Sequence, residues 1–117
     1  MEIDKYAAID IGSNAVRMLI TNVIKIEGSV YFRKNSLIRV PIRLGEDSFT
    51  SGEISKKNKN RLIDSIKAFK LLMEVHNVKN YLAYATSALR EATNGQKVVK
   101  EIKKKSDISI ELIDGVK

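Results

Sequence analysis

The chain has 117 residues, of which 44% are hydrophobic and 30% charged, a composition that suits one folded domain or part of a larger one and excludes a disordered chain. It contains no Cys, so a disulfide framework is excluded and a reducing compartment is the simpler expectation. Its net charge of +7, from 21 basic and 14 acidic residues, favours anionic partners.

The N-terminal stretch "MEIDKY" is charged, and the apolar run after it is broken by Asp10, Asn14 and Arg17. That pattern excludes a secretory h-region and a spanning helix, so no membrane role is expected and the cytoplasm is the expected location. Residues 5–11, "KYAAIDI", predict a buried strand, and 15–24, "AVRMLITNVI", a second. Gly12-Ser13-Asn14 joins them as a turn, since Gly tolerates positive φ and Asn is the next most tolerant residue. "EGSV" turns the chain again, and 30–44 predicts one long or broken strand whose Pro41 part is confined to an edge or a bulge. "GEDSFTSG", residues 45–52, predicts a loop in which Glu46 and Asp47 are solvated.

Ser55 is a good N-cap for a helix over 56–76. Leu62, Ile66, Phe69 and Met73 recur there at steps of four, three and four, Ile63 and Leu72 widen the stripe, and Asn77 closes it. Residues 78–85 predict a strand. Thr86 or Ser87 caps the helix that follows, with Asn94-Gly95 as stop signals. A basic helix covers 96–105, and "ISIELI", 108–113, is a last strand. The fold class is α/β in a single domain, with an antiparallel hairpin start and parallel strands joined by crossover helices.

Two stretches carry candidate chemistry. A tight turn between core strands presents backbone N–H groups and small side chains, a concave donor array that suits phosphate. Asp10 is placed to hold a divalent metal or its water, Ser13 and Asn14 to donate to phosphate oxygens, and Arg17 to reach the same site by strand alternation. The alternative is an ordinary hairpin with Asp10 bonded to turn amides. In "YLAYATSALREATNG" a strand runs into a helix N-terminus bearing Thr86 and Ser87, where N–H groups and the helix dipole favour an anion. Arg90 is placed to clamp it, or else to pair with Glu91 or Glu101. His76, the only histidine, sits at a helix end without metal-ligand spacing around it. The basic runs "SKKNKNR" and "KVVKEIKKK" read as solvated helix faces or as a polyanion surface. No basic-aromatic interleaving supports specific nucleic-acid binding.

The sequence resembles the exopolyphosphatase / guanosine pentaphosphate phosphohydrolase (Ppx/GppA) family. "AAIDIGSNAVRMLI", "PIRLGEDSFTSGEIS", "ATSALREATNG" and "IELIDG" follow one another in that family's order and approximate spacing. The resemblance implies the ribonuclease-H-like fold of the actin-like ATPase superfamily. It also implies metal-dependent phosphoanhydride hydrolysis, with Mg2+ the expected ion and polyphosphate or a phosphorylated guanosine nucleotide the expected substrate. Gly12, Ser13 and Asn14 match the family's first phosphate loop, Arg17 and Arg90 its basic phosphate contacts, and Asp10 its acidic residue near the metal or the attacking water.

The resemblance further implies that the chain is an N-terminal portion of the family's first domain. The general-base Glu would follow Gly115, and a second Gly-rich loop would come later, so the chain alone is expected to bind phosphate without turnover. The sheet edge after residue 113 is expected to invite homodimerisation. The sequence also leaves two alternatives open: a nucleotide-dependent kinase or ATPase of the same superfamily, and a non-enzymatic basic module that binds polyanions.

Overall fold

A computed structural model describes residues 1–113 of the chain. The elements are β1 (Glu2–Ile11), β2 (Val16–Ile26), β3 (Ser29–Val40), α1 (Leu44–Ser51), α2 (Lys56–Val75), β4 (Asn80–Ala85), α3 (Ser87–Glu91), α4 (Gly95–Ser106) and β5 (Glu111–Leu112). The strands form one sheet in the order β3-β2-β1-β4-β5. β1, β2 and β3 are antiparallel neighbours, whereas β4 runs parallel to both β1 and β5. This is the α/β architecture expected from the sequence.

Period-two alternation decides which face of the sheet is covered. Ala7, Ile9 and Ile11 of β1, Val16, Met18 and Ile20 of β2, and Ala83 and Ala85 of β4 are buried. They share one core with Leu62, Ile66, Phe69 and Met73 of α2 and with Val98 and Ile102 of α4. Each large side chain buried in full here contributes about 1.5–3 kcal/mol relative to exposure. The residues between them (Ala8, Asp10, Arg17, Leu19 and Tyr84 among others) point to the opposite face. Leu37 and Leu82 on that face are 52% and 57% exposed.

The parallel helices α2 and α4 lie side by side on the covered face. Salt bridges join them, Lys59 to Glu101 at 3.2 Å and Lys70 to Asp107 at 3.7 Å. Ser55 caps α2 as expected, its hydroxyl accepting from the Asn58 N–H at 3.2 Å. Asn77 follows the helix in the left-handed region, φ 57°. The β2–β3 turn is built on Glu27 and Gly28, φ 50° and 83°, the pair of positive φ values that a tight hairpin needs.

Three sequence expectations are corrected. Residues 45–52 are not a loop. Leu44–Ser51 form α1, because the fully buried Leu44 anchors the segment and Gly52, φ 84°, ends it. The poor helix formers of "GEDSFTS" hide this, since tertiary packing overrides their propensity. The long strand ends at Val40, where Pro41 has no N–H to give a ladder. Asn94-Gly95 starts a helix rather than stopping one: Asn94 takes the N-cap position of α4, and Gly95 is its first residue. Only Gly fits there, since a Cβ would lie 1.9 Å from the Leu89 carbonyl oxygen.

Candidate functional site

Strand register sets a polar row across the open face. Arg39 on β3 lies opposite Arg17 on β2, Arg17 opposite Asp10 on β1, Asp10 opposite Tyr84 on β4, and Tyr84 opposite Glu111 on β5. The next row toward the N-terminus of β1 is apolar, with Leu37, Leu19, Ala8 and Leu82. The polar row therefore runs along the end of the sheet where the parallel strands β1 and β4 finish, the usual place for ligands in such sheets.

Asp10 and Arg17 form a direct ion pair from cross-strand positions. A hydrogen bond from the guanidinium to Asp10, and the attraction of that carboxylate, raise the Arg17 pKa above its ordinary value. Arg17 stays half exposed and Asp10 one-fifth exposed, so the pair faces solvent rather than the core. In chemical terms it is a guanidinium held in place with donors to spare, beside a carboxylate with one oxygen engaged.

The Gly12-Ser13-Asn14 turn rises just beyond this pair. It closes with the Gly12 N–H donating to the Ala15 carbonyl at 3.0 Å. Gly12 does not have positive φ, which corrects the reason expected for its choice. A Cβ at Gly12 would instead stand 3.3 Å from the Ala15 oxygen, so close approach explains the glycine. Among the described residues, the Ser13 and Asn14 amide N–H groups have no protein acceptor. The turn is buttressed from behind, where the Gly45 N–H at the start of α1 donates to the Ser13 carbonyl at 2.8 Å. A Cβ at Gly45 would meet the Ser13 Cβ at 3.1 Å, so the stretch 44–51 sets the position of the turn.

Two cavities adjoin at Arg17. One, of about 250 Å3, is lined by Gly12, Ser13, Asn14, Ala15, Arg17 and Arg39. The other, of about 270 Å3 on the open face, is lined by Asp10, Arg17, Lys34 and Tyr84 with the apolar Ala8, Leu19 and Leu37. The structure thus brings Asp10, Gly12, Ser13, Asn14 and Arg17 together, as the sequence reading requires. It adds Arg39, Lys34 and Tyr84, which that reading missed. Alternation with Arg17 across the Glu27-Gly28 turn was the available signal for Arg39. Lys34 carried no such signal, because a register shift at Ile20/Thr21 changes the pairing.

The second stretch is arranged differently. Ala85 pairs with Ile11, and the Thr86 N–H donates to the Ile11 carbonyl at 3.2 Å, so Thr86 follows β4 beside Gly12. Thr86 takes the N-cap position of α3 without a side-chain cap bond, and Ser87 opens that helix, which has only 5 residues. The Arg90 guanidinium donates to the Ile113 carbonyl at 2.8 Å and to Glu91 at 3.2 and 3.3 Å. Thr86, Ser87 and Arg90 line neither of the two cavities. Arg90 pairs with Glu91, one of the two partners weighed for it.

Thr93 and Asn94 clamp the chain instead. The Thr93 N–H donates to the Gly52 carbonyl at 2.8 Å, and Asn94 exchanges two bonds with the Ile54 backbone. Asp47 is likewise structural, accepting from the Ser55 N–H and the Asn58 amide, each at 2.9 Å. Burial pushes its pKa up, but those hydrogen bonds outweigh burial and hold it below the ordinary value. His76 ends α2, away from the polar row.

Among the described residues, no group of three or more His, Cys, Asp or Glu is placed to hold a metal. Asp10 is the carboxylate beside the turn. One carboxylate fits Mg2+, which binds through one or two carboxylates while keeping waters and taking substrate phosphate oxygens. Gly115 and the position after it lie outside the described residues. No helix among the described residues is long and apolar enough to cross a membrane.

Comparison with known proteins places the fold. Residues 25–117 match the model of the Ppx/GppA phosphatase family. The chain is 32% identical to a bifunctional 3-dehydroquinate synthase/phosphatase of Fusobacterium nucleatum, over 98% of this chain and 19% of that protein. It is 26% identical to Exopolyphosphatase 1 of Mycobacterium tuberculosis, over 95% of this chain and 31% of the relative. The crystal structure of an Aquifex aeolicus member of the Ppx/GppA protein family superposes with a TM-score of 0.88 at 25% identity, covering 97% of this chain and 36% of that one. The chain therefore spans about a third or less of the length of these relatives. The ribonuclease-H-like α/β fold expected from the sequence is the fold observed.

Proposed function

Since this chain belongs to the Ppx/GppA phosphatase family, we propose that it supplies the phosphate-binding half of a phosphoanhydride hydrolase. The reaction is release of the terminal phosphate of polyphosphate, or of the 5′-terminal phosphate of guanosine pentaphosphate. The observation that supports this reading is the cavity where the Ser13 and Asn14 amides meet Arg17 and Arg39. Donors from a rigid turn and two guanidinium groups match the charge of a terminal phosphate and fix its orientation.

Each residue has a task in this reading. The turn amides and the Ser13 and Asn14 side chains hold phosphate oxygens. Arg17, oriented by Asp10, stabilises charge on the transferred group, and Arg39 extends the positive wall. Asp10 would hold Mg2+ through the oxygen that Arg17 does not occupy, and the ion when bound neutralises phosphate charge. Thr86 and Ser87 approach the substrate from the adjacent strand end, and Arg90 reinforces that wall. Water activation needs a positioned base near the phosphorus, which this reading assigns to a Glu after Gly115. Two copies pair along the open edge of β5, and sedimentation of the isolated chain as a monomer at high concentration would count against that pairing.

The experiment is phosphate release by the full-length protein from polyphosphate, guanosine pentaphosphate and ATP, with and without Mg2+. Turnover of one of the first two, abolished by chelation and reduced a hundredfold or more in Arg17→Ala, is expected on the scale of lost oxyanion donors. Transfer of phosphate from ATP to an acceptor, with neither of the other substrates cleaved, would replace hydrolysis with kinase chemistry.

A further inference from the structure

The net charge of the chain is not spread over its surface. α2 carries Lys56, Lys57, Lys59, Arg61, Lys67 and Lys70 against Asp64 and Glu74. α4 and its cap carry Lys97, Lys100, Lys103, Lys104 and Lys105 against Glu101 and Asp107. Eleven basic and four acidic residues leave +7, which is the whole net charge, so the other ten basic and ten acidic residues cancel.

Part of this charge is structural. Glu101 is held by Lys59 at 3.2 Å and Lys105 at 3.1 Å, and Asp107 by Lys103 at 3.0 Å and Lys70 at 3.7 Å. Lys56, Lys57, Lys67, Lys97, Lys100 and Lys104 stand outside these pairs and are exposed. Lys97, Lys100 and Lys104 recur at steps of three and four, which puts them on one stripe of α4. The Ile54–Asn94 bonds set the N-termini of α2 and α4 together, at the end of the sheet where β1 and β4 finish. A lysine-lined layer thus leads away from the end of the fold that carries the Gly12–Asn14 turn.

We infer that the α2/α4 layer is a second binding surface, separate from the cleft, for the trailing part of a polyphosphate chain. Choosing polyphosphate as occupant rests on the proposed function; the surface itself rests on the localisation of charge. Lysines suit a flexible, featureless polyanion, being compact charges on mobile stems rather than planar forks that read geometry. Phe69 is the one aromatic residue of the two helices and is 1% exposed, so no platform exists there for stacking bases. That favours a chain of phosphates over single-stranded nucleic acid. The surface acts by raising the local concentration of long substrate, so short substrates do not benefit from it.

The test compares two double charge reversals in the full-length protein that alter net charge equally. Lys97→Glu/Lys104→Glu changes the helix layer, and Lys25→Glu/Arg33→Glu changes the sheet. Binding of end-labelled long-chain polyphosphate is followed by fluorescence anisotropy across a salt series, with hydrolysis of tripolyphosphate measured in parallel. Circular dichroism melts confirm that each variant folds. The helix-layer reversal is expected to weaken long-chain binding about tenfold and to lower the salt slope by about two. The sheet reversal is expected to change affinity less than about twofold, and both variants keep tripolyphosphate hydrolysis. Equal weakening by both variants, or by neither, overturns the surface. Displacement of polyphosphate by duplex DNA at lower phosphate concentration overturns the occupant. Lysine-dependent binding without hydrolysis overturns the proposed function alone.

Discussion

Asn94 and Ile54, forty residues apart in sequence, exchange two hydrogen bonds: the Asn94 amide donates to the Ile54 carbonyl at 2.9 Å, and the Ile54 N–H donates to the Asn94 side-chain oxygen at 2.8 Å. A side-chain amide carries a donor and an acceptor on separate atoms, so it can pair with both polar groups of one backbone unit at once. Ile54 is 3% exposed, so water cannot replace the lost partner. Asn94→Ala leaves two buried backbone groups unpaired and should cost about 2 kcal/mol or more. Asn94→Asp restores the acceptor but not the donor and should cost less. Urea denaturation measures both. A variant of unchanged stability with raised KM for polyphosphate would show that Asn94 touches substrate instead.

Asp47 predicts an acid-side stability dependence. Its native pKa lies below the ordinary 3.8, because hydrogen bonds from Ser55 and Asn58 to the carboxylate outweigh burial. A depressed carboxylate stabilises the fold above its unfolded pKa and loses that contribution as pH falls through the native one. Wild type should therefore exceed Asp47→Asn in thermal midpoint at neutral pH, with the gap closing as pH drops below 3.8. A gap that is constant from pH 7 to pH 3 would mean that packing, not the charge, carries the effect.

Much of the fold was legible from period alone. The stripe Leu62, Ile66, Phe69 and Met73 is buried as read, and Ala7, Ile9 and Ile11 alternate as a half-covered strand should. What period could not show was structure held by remote partners. α1 depends on the buried Leu44 and on the Gly45–Ser13 bond, neither of which has a local signature. The site follows the same rule. Asp10, Ser13, Asn14 and Arg17 lie within one hairpin and were found together, whereas Arg39 joins them only through strand register. Asn94 has the local signature of a helix stop, yet with Thr93 it ties the start of α4 to the Gly52–Ile54 connection between α1 and α2.

Gly95 separates crowding from backbone strain. An added Cβ would sit 1.9 Å from the Leu89 oxygen, so Gly95→Ala must push α3 from α4 and should cost about 1–3 kcal/mol, as overpacking does. Gly28, φ 83°, has nothing within 4 Å of a Cβ, so Gly28→Ala is strained by conformation only. Gly28→Asn should recover most of that loss, because Asn tolerates the left-handed region, whereas Gly95→Asn should be worse than Gly95→Ala. Thermal melts of the four variants check the ordering; similar losses at both positions would argue against the α3–α4 contact.

Arg39 gives the most direct test of the cavity beside the turn. It shares that cavity with Arg17 and lies opposite it in register, but Arg17 also holds Asp10. Removing Arg39 takes away a cation and leaves the Asp10–Arg17 pair intact. Removing Arg17 takes away a cation and also releases the carboxylate into the site. A hydrogen bond to a charged group contributes about 1.5–3 kcal/mol, so Arg39→Ala should raise KM for polyphosphate by about tenfold or more. kcat should change little if the contact is equally strong before and during transfer. Arg17→Ala should lower kcat as well, because the freed Asp10 charge repels the phosphate. In Asp10→Asn/Arg17→Ala that repulsion is gone, and affinity should partly recover even though the carboxylate proposed to hold Mg2+ is lost. Steady-state kinetics of the full-length protein read all three variants. An Arg39→Ala protein with wild-type KM would mean that phosphate does not enter through this cavity.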